Sequence, residues 1–323
     1  MKSKSKKVLV IGGGAWGSAI SNLIAENKNQ VFLSSNEPKV IKEINQKSTN
    51  SKFLPSIKLS KNITAISGLR TDVDFVFIVI PSSAAKEVFQ QIAKAKFGKN
   101  CIFVICSKGI EGSSLTLLVD AFEKIVKNKN YAALSGPNFA LEVAAKMPTV
   151  TTIASANKKL ASEVIDLMNN DYFRGHYSKD PRSAEIFGVV KNIIAIGCGI
   201  AEGLELGVNG KAAVVMKGIS EIQLLCKALK ASPDVVNPAG FGDIFLTCSS
   251  TKSRNNSLGK LIAAGGKMEK GKTYEGAVSS ELIVAIAKKL KLKLDLCEAV
   301  SEILSKKFSQ KEIKQKIVKA ILK

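Results

Sequence analysis

The chain has 323 residues, of which 46% are hydrophobic, so it can bury a large core and at this length is expected to form two domains. Its formal net charge of +21 at pH 7 has two interpretations: a surface for nucleic acid or anionic membranes, or lysines spread over solvated helices beside polyanionic substrates. Aromatic residues make up only 6% of the chain and do not alternate with basic ones in a base-stacking pattern, so we expect no nucleic acid partner.

A glycine-rich turn follows the first predicted strand. Residues 8–11 form a continuous apolar run rich in β-branched side chains, as in a strand buried on both faces of a parallel sheet. Gly12, Gly14 and Gly17 then occupy the positions of a G-x-G-x-x-G motif, and an apolar helical face follows. These glycines permit a tight turn and bring a pyrophosphate close to the helix N-terminus. The order strand, turn, helix predicts dinucleotide binding more than a merely structural turn.

The second predicted strand, residues 31–33, ends without the carboxylate that would hold the ribose 2′-hydroxyl of NAD. Ser34, Ser35 and Asn36 stand there instead. Their short polar side chains can hydrogen-bond a 2′-phosphate, and none of them repels it. We therefore expect NADP, or both cofactors, more than strict use of NAD, although Glu37 and Lys39 bring opposite charges nearby.

Further apolar runs predict the rest of a sheet, at residues 75–80, 101–105, 131–134 and 150–153. Helical patterns separate most of them, which predicts an α/β fold: an N-terminal Rossmann-like, doubly wound parallel sheet with ligands beyond the carboxyl ends of its strands. The single histidine, His176, is interpreted as a strand residue near the domain junction. From about Ser183 only helical periodicity continues. We expect a dinucleotide-binding domain at residues 1–182 and an all-α substrate-binding domain at residues 183–323.

Several patterns bear on where the protein works. The longest apolar stretch, residues 186–201, is interrupted by two polar residues and is shorter than the roughly 18 to 20 residues that a bilayer requires. The basic N-terminal residues run directly into a strand, unlike a signal peptide. Six cysteines lack C-x-x-C spacing, so we interpret them as core residues in a reducing compartment and expect no metal site. These patterns predict a cytoplasmic protein without integral membrane association.

Lys191 stands out in the second half because nearly all its neighbours in residues 186–196 are apolar. A lysine in an apolar wall loses hydration of its charged form, so its pKa is expected to fall toward the range useful for proton transfer near neutral pH. The alternative is a lysine whose ammonium reaches water from a buried helix. Downstream, Asp243 follows a glycine-rich turn and Thr247 lies one helical turn later, which favours the catalytic interpretation.

A second polar cluster, residues 253–255, predicts a phosphate-binding helix start. Ser253 can cap the new helix, and the helix N-terminus, the planar guanidinium of Arg254 and the amide of Asn255 together suit a phosphate. Lys108 follows another predicted strand. Together with the isolated lysine in the apolar helix, these groups predict a small carbonyl or hydroxyl substrate that carries a phosphate.

The C-terminal segment, residues 311–323, predicts a basic amphipathic helix. Ile313, Ile317 and Ile321 recur on one of its faces. Packing on the helical domain is its expected role, with weak attraction to anionic lipid as the alternative.

These motifs resemble NAD(P)-dependent glycerol-3-phosphate dehydrogenase of the bacterial type, over essentially the whole chain. The matching segments are residues 12–17, 52–55, 107–111, 134–140 with Glu142, 191–195, 240–243 with Thr247, 253–255 and 275–276. The resemblance implies reduction of dihydroxyacetone phosphate to sn-glycerol 3-phosphate, the backbone of glycerophospholipids, with NAD(P)H. It also implies a cytoplasmic enzyme that is commonly a homodimer.

Carried over position by position, the resemblance implies that Lys191 gives and takes the proton, with Lys108 and Asp243 as further catalytic residues. The residues that it implies at the substrate are Lys108, Gly136, Asn138, Lys191, Asn192, Asp243, Thr247, Ser253, Arg254 and Asn255. The residues that it implies at the cofactor are Gly12, Gly14, Ala15, Trp16, Gly17, Ser35, Asn36, Lys108, Ala140, Arg254, Thr273 and Glu275.

The chain departs from the family pattern at several positions. Ala15 stands where the family often has Ser, which removes one side-chain donor to the pyrophosphate, and the larger Asn138 replaces the usual Ser or Thr. Ser35 and Asn36 replace the common Arg or His, so the resemblance leaves NADP or NAD open. Asp295 stands where the family commonly has Pro and is expected to affect packing only.

Two alternatives remain at this point. One is a related dehydrogenase of the hydroxyacid or phosphogluconate type, which shares the architecture but acts on a carboxylate substrate. The other is a basic NAD(P)-sensing or nucleic-acid-binding protein that kept the fold without the chemistry. Activity with unphosphorylated or carboxylated substrates would indicate the first alternative, and nuclease-resistant nucleic acid in the purified protein, with no turnover, would indicate the second.

Overall fold

Short β-branched runs in the first half of the chain form the strands of an eight-stranded sheet. The structure, a computed structural model, describes residues 5–269 and 274–323. Strands within these residues are β1 (Lys7–Ile11), β2 (Gln30–Ser34), β3 (Ile63–Ile66), β4 (Phe75–Ile78), β5 (Ile102–Ile105), β6 (Ile110–Glu111), β7 (Thr116–Leu117), β8 (Tyr131–Ser135), β9 (Thr149–Ala154) and β10 (Phe173–Ser178).

The order of strands across the sheet is β10-β9-β8-β5-β4-β1-β2-β3. β1 pairs in parallel with both β2 and β4, so the chain winds outward from β1 to one edge and then returns to build the other half. The carboxyl end of β1 therefore lies at the switch point, where open α/β sheets bind their ligands. The predicted Rossmann-like, doubly wound sheet is confirmed.

Helices cover both faces of this sheet. In the first half they are α1 (Ala15–Glu26), α2 (Pro38–Lys47), α3 (Ala85–Lys94), α4 (Leu118–Val126), α5 (Ala140–Ala144) and α6 (Lys158–Met168). On one face, Val8 and Val10 of β1 join the buried cluster that includes α1. On the other, Phe103 of β5 meets Phe122 of α4, whose ring stands edge-on to that of Phe89 with 5.3 Å between centroids. Because alternate residues of a strand point to opposite faces, the central strands β1, β4 and β5 need apolar residues throughout.

The second half of the chain is helical, as predicted. Its helices within the described residues are α7 (Pro181–Gly203), α8 (Gly207–Ala228), α9 (Asp243–Ser249), α10 (Arg254–Ala263), α11 (Glu275–Lys289), α12 (Asp295–Ser305) and α13 (Gln310–Ile321). The chain forms two compact units: the chain up to Glu111 with Leu118–Pro181, and Gly112–Leu117 with Arg182–Lys323. The expected domains at residues 1–182 and 183–323 stay a prediction.

Two helices of the second half were foreseen as amphipathic or apolar segments. α7 is longer than the apolar run at residues 186–201 and is long and apolar enough to cross a membrane, yet its most apolar window is completely buried, as in a core helix. α13 buries Ile313 and Ile317 and packs against α12 and α8, and its lysines are exposed except Lys316, which is half-buried and pairs with Glu302 of α12. Packing was its expected role.

The structure corrects two expectations about the sheet. β9 runs antiparallel to β8, although a parallel sheet was predicted, because an apolar run specifies burial and not direction. β3 was not predicted, since this edge strand has only four residues and half of them are more exposed. β10, which contains His176, joins the opposite edge in parallel with β9.

Candidate functional site

The glycine turn at the carboxyl end of β1 is built from backbone. Gly12 has φ of +120°, and a side chain there would overlap the carbonyl oxygen of Val79. A side chain at Gly17 would overlap the carbonyl oxygen of Gly12, so α1 can lie close to β1 only with glycine at this position. Gly14 differs: it precedes α1, no side chain caps the helix, and a Cβ at Gly14 would meet nothing within 4 Å. A helix start with no side-chain cap and open space beside Gly14 fits the pyrophosphate of a dinucleotide.

A buried asparagine braces this turn. The Nδ2 of Asn50 donates to the carbonyl oxygen of Gly13 at 2.9 Å and to the Oγ of Ser18 at 2.8 Å. Asn50 is fully buried and also accepts backbone bonds from Phe53 and Leu54, which close a tight turn. The Asn50 side chain thus ties residues 50–54 to the glycine turn.

The carboxyl end of β2 carries Ser35 and Asn36, which differ in exposure. Ser35 is buried beneath Gly13, and its Oγ accepts the N–H of Glu37 at 3.2 Å. Asn36 is exposed. The carboxylate of Glu37 forms an ion pair with Lys52, 2.6 Å between Nζ and Oε2.

Lys108 and Gly136 meet at the carboxyl ends of β5 and β8. The half-buried Lys108 donates from Nζ to the carbonyl oxygen of Gly136 at 3.2 Å. The side-chain amide of Asn138 is bonded at the same corner. It donates to the carbonyl oxygen of Val150 at 3.1 Å and accepts from the Thr151 hydroxyl at 2.9 Å. Lys108 and Gly136 are thus brought together, whereas the Asn138 side chain is already occupied by the β8–β9 corner.

Ala15, Trp16 and Ala140 lie in the first turns of two helices that pack against each other, α1 and α5. Trp16 and Ala140 are partly buried against the core of the first unit. Both helices thus present their N-terminal residues beside the sheet, where the resemblance implies cofactor contacts.

Lys191 and Asp243 form a buried ion pair in the second unit. Nζ of Lys191 donates to Oδ1 of Asp243 in a short hydrogen bond. The two side chains are only 8% and 1% exposed, so the ammonium does not reach bulk water and the alternative of a lysine extending to solvent is wrong. The pair joins residues 52 positions apart in sequence. A charged partner offsets the hydration that each ion loses on burial.

Local structure fixes Asp243 at the start of α9. The side chain of Asn237 accepts the N–H of Gly240 at 3.0 Å and caps a π-helical turn, Pro238–Gly242. Thr247, one turn further, donates its hydroxyl to the carbonyl oxygen of Asp243 at 2.6 Å. Its hydroxyl lies 3.4 Å from the carboxylate of the same residue. Thr247 therefore supports the aspartate.

Three neighbouring residues at the start of α10 have different roles. Ser253 caps the helix, since its Oγ accepts the N–H of Asn256 at 3.2 Å. Asn255 is buried and its Oδ1 accepts the N–H of Gly276 at 3.2 Å, at the first turn of α11. Arg254 is exposed and makes no hydrogen bond or ion pair within residues 5–269 and 274–323. The guanidinium is thus available to a ligand.

Asn192 and Glu275 lie around the same junction of the second unit. Asn192 is buried on α7, and a Cβ at Gly276 would stand 2.8 Å from its carbonyl oxygen, so α7 and α11 approach closely at this glycine. Glu275 is exposed at the first residue of α11. Thr273, expected at the cofactor, lies outside the described residues.

Comparison with known families agrees with both halves of this geometry. Residues 7–161 match the N-terminal part of NAD-dependent glycerol-3-phosphate dehydrogenase, and residues 180–315 match its C-terminal part. The chain is 37% identical over 311 residues to glycerol-3-phosphate dehydrogenase [NAD(P)+] of Caulobacter vibrioides, covering 93% of each chain. The chain belongs to the NAD-dependent glycerol-3-phosphate dehydrogenase family.

Other members of the family are similar over the same length. The protein of that name from Parvibaculum lavamentivorans is 34% identical, with 93% of this chain and 92% of the relative covered. The crystal structure of glycerol-3-phosphate dehydrogenase from Coxiella burnetii superposes with a TM-score of 0.91 at 28% identity, covering 97% of this chain and 99% of that one. The predicted family and the class of oxidoreductase that uses NAD or NADP are therefore confirmed.

Sequence reasoning missed two elements of this dehydrogenase site. The brace from Asn50 lies 37 residues from the carbonyl that it binds, and the pair of Glu37 and Lys52 joins two loops. Lys52 begins the matching family segment, residues 52–55, and Asn50 lies two residues before it, so this segment was the available signal. What the sequence did not reveal was their partners.

Proposed function

We propose that the protein interconverts dihydroxyacetone phosphate and sn-glycerol 3-phosphate with NADPH or NADH. The observation that carries this proposal is the buried pair of Lys191 and Asp243, which holds an ammonium inside the apolar second unit. An ammonium in such surroundings can give a proton to an oxygen that becomes negative during reduction. The family membership supplies the reaction class.

When bound, the reduced nicotinamide supplies a hydride to carbon C2 of the substrate carbonyl. Lys191 then donates one proton from Nζ to the resulting alkoxide and takes it back in the reverse direction. Asp243 keeps this lysine oriented and compensates its charge, and Thr247 holds the aspartate. We propose that Lys108, whose ammonium donates to the carbonyl oxygen of Gly136, polarises the substrate oxygen or holds the substrate, and that Gly136 contacts the substrate.

The start of α10 is proposed to hold the substrate phosphate. The exposed guanidinium of Arg254 can form two parallel hydrogen bonds to phosphate oxygens, and the N-terminal N–H groups of the helix add to the attraction. The oxygens of Ser253 and Asn255 accept the N–H groups of Asn256 and Gly276, and the Ser253 hydroxyl and the Asn255 Nδ2 can still donate to a phosphate. The phosphate lies away from the reacting carbonyl, and binding it orients that carbonyl for reaction.

The proposed cofactor site is the glycine turn with the N-terminal turn of α1. Gly12 and Gly17 allow its shape, Gly14 leaves space for the pyrophosphate, and Ala15 begins the helix beside it. We propose that Trp16 and Ala140 contact the cofactor, as do Arg254 and Glu275, and that NADPH is used at least as well as NADH. Asn36, exposed at the end of β2, remains a candidate for the adenosine ribose.

Initial rates with a matched set of substrates test this function. Dihydroxyacetone phosphate with NADPH or NADH should be turned over, whereas dihydroxyacetone and 2-oxo acids should be poor substrates. Preference for a 2-oxo acid would instead favour a hydroxyacid-type dehydrogenase. Absence of any turnover, together with nuclease-resistant nucleic acid in the purified protein, would favour a non-catalytic binding protein.

We further propose that the enzyme works in the cytoplasm as a homodimer and supplies glycerol 3-phosphate for glycerophospholipids. The burial of Ile313 and Ile317 supports a packing role for α13 over a role at a membrane. Light scattering on the purified protein measures the oligomeric state, and a monomer at micromolar concentration would contradict the dimer.

A further inference from the structure

We propose that the ion pair between Glu37 and Lys52 lets this chain accept both NADP and NAD, with Lys52 binding the 2′-phosphate and Glu37 accepting a hydrogen bond from the free 2′-hydroxyl. The inference rests on the dinucleotide binding in the proposed function. In this fold, the adenosine ribose is recognised just beyond the second strand of the sheet, about 20 residues after the glycine motif. Both members of the pair stand beside that position.

The placement of Lys52 follows from three contacts within the first unit. Asn50 ties the segment to Gly13 of the glycine turn, 2.9 Å from Nδ2 to the carbonyl oxygen. Glu43 on α2 accepts the N–H of Ser51 at 2.9 Å, which fixes the backbone next to the lysine. The ammonium of Lys52 then reaches the carboxylate of Glu37, two residues beyond Ser35. The cation is therefore positioned between the glycine turn and the end of β2.

Other side chains at the end of β2 are less suited to a 2′-phosphate. Ser35 is 6% exposed, lies under Gly13 and has its Oγ engaged by the N–H of Glu37. Asn36 is exposed but uncharged. Lys52 is thus a cation held at this strand end by contacts that the structure shows.

Lys52 can exchange its partner Glu37 for the phosphate of a cofactor. The side chains of Lys52 and Glu37 are 58% and 40% exposed, and exposed ion pairs of this kind contribute little stability. A phosphate monoester with a second pKa near 6 carries almost two negative charges at pH 7, so it competes well with a single carboxylate for the ammonium. With NAD, no phosphate arrives, the pair stays formed, and the carboxylate retains oxygens that can accept from a ribose hydroxyl.

Titration calorimetry of NADP⁺ and NAD⁺ with three variants tests the proposal without using turnover. Lys52→Gln should raise the Kd of NADP⁺ about tenfold, which corresponds to roughly 1.4 kcal/mol, and change that of NAD⁺ less than about twofold. Glu37→Gln should shift the preference the other way, with NAD⁺ about threefold weaker and NADP⁺ unchanged or tighter. Lys39→Gln removes the same charge from an exposed position on α2 and is the control for the general field of this basic chain.

Equal weakening of both cofactors by Lys52→Gln, no change in either, or the same effect from Lys39→Gln would overturn the proposal. Adenosine 2′,5′-bisphosphate and AMP, which differ only in the 2′-phosphate, should repeat the pattern for Lys52→Gln. These dissociation constants remain measurable if dihydroxyacetone phosphate proves not to be the substrate. Failure of the proposed reaction and failure of this inference are thereby distinguishable.

Discussion

The two units each contain a candidate site, and the two sites are built by different means. In the first, the important surface is backbone: a turn in which Gly12 has φ of +120° and Gly14 faces open space ahead of an uncapped helix. In the second, it is a pair of charged side chains, Lys191 and Asp243, that are almost completely buried and lie 52 residues apart in sequence.

This difference separates binding from proton transfer. A backbone turn has no group that titrates near neutral pH, so it suits a cofactor that must bind and leave unchanged in protonation. A buried ammonium with one carboxylate partner is costly to place and therefore depends on that partner. We expect substitutions in the glycine turn to act mainly on cofactor affinity, and substitutions of Lys191 or Asp243 to act mainly on turnover.

The largest effect is expected for Lys191→Met. Methionine keeps an unbranched side chain of similar length in the apolar surroundings but cannot give a proton, so kcat should fall about 10³-fold, within the range for loss of a general acid. Cofactor affinity, measured by NADPH fluorescence, should change little. A variant that keeps most of its kcat would remove Lys191 from the mechanism.

Stability controls separate chemistry from folding in this variant. Lys191→Met leaves Asp243 buried without its cation, which should cost about 3–5 kcal/mol of unfolding free energy. The double variant Lys191→Met with Asp243→Asn replaces both charges and should recover much of that loss in urea denaturation. Turnover should not recover. Recovery of turnover along with stability would show that the pair acts only on the fold.

The glycine turn offers a matched pair of substitutions, Gly12→Ala and Gly14→Ala. A side chain at Gly12 is strained by its positive φ and overlaps the Val79 carbonyl, so we expect a loss of more than about 3 kcal/mol in stability together with loss of cofactor binding. A side chain at Gly14 meets no protein atom within 4 Å, so stability should change by less than about 1 kcal/mol. It nevertheless occupies the space proposed for the pyrophosphate, so NADPH affinity should fall about tenfold, worth roughly 1.4 kcal/mol.

Urea denaturation and NADPH titration of the two alanine variants check this contrast. If Gly14→Ala binds NADPH as tightly as the wild type, the pyrophosphate does not approach this residue. If it unfolds as readily as Gly12→Ala, the fold itself requires glycine at position 14, and the residue is not kept small only to leave space for the cofactor.

These contrasts also explain how much the sequence could predict. The motif at Gly12, Gly14 and Gly17 is contiguous, and its requirement for glycine follows from local backbone geometry, so it was found directly. Lys191 was found because its neighbours are apolar, yet its partner was not apparent from that segment. Family resemblance brought Asp243 to the same site, and the ion pair bears out their proximity.

The features that the sequence could not predict are contacts between residues that only the tertiary structure brings together. Asn50 braces Gly13 from 37 residues away, and buried Glu221 accepts the N–H groups of Leu296 and Cys297 at the start of α12 from 75 and 76 residues away. No local pattern identifies such partners. The same holds for the direction of β9, since burial and not orientation sets its apolar pattern.

We predict a smaller effect for Arg254→Lys, and we expect it to change both substrate binding and turnover. Lysine keeps the charge but loses the planar pair of donors, so the exchange is not conservative at a phosphate. We expect kcat/KM for dihydroxyacetone phosphate to fall about 10- to 100-fold, or roughly 1.4–2.7 kcal/mol, with both KM and kcat affected. Dihydroxyacetone, which has no phosphate, is the control substrate and should suffer little further loss. Equal damage to both substrates would assign Arg254 to the cofactor or the fold.

The smallest predicted effect concerns Glu202, which ties α7 to two neighbouring helices of the second unit. Its carboxylate pairs with Lys211 of α8 and, at 2.6 Å, with Lys260 of α10. Burial raises the pKa of Glu202, but the hydrogen bonds to the two lysines outweigh it and hold the pKa below its usual value of 4.5. A carboxyl group whose folded pKa is lowered stabilises the protein above the unfolded pKa and loses this contribution as the pH falls through the folded pKa.

Glu202→Gln should therefore lower the unfolding free energy by about 1 kcal/mol at pH 7, and the difference from the wild type should shrink below pH 4.5 as the wild-type carboxylate takes up a proton. Urea midpoints at pH 7 and at pH 3.5 measure this change. Glu281→Gln removes the same charge from an exposed site on α11 and should show almost no difference at either pH. If both variants behave alike, the charge of the second unit as a whole sets the pH dependence, and the pairs of Glu202 with Lys211 and Lys260 add no stability of their own.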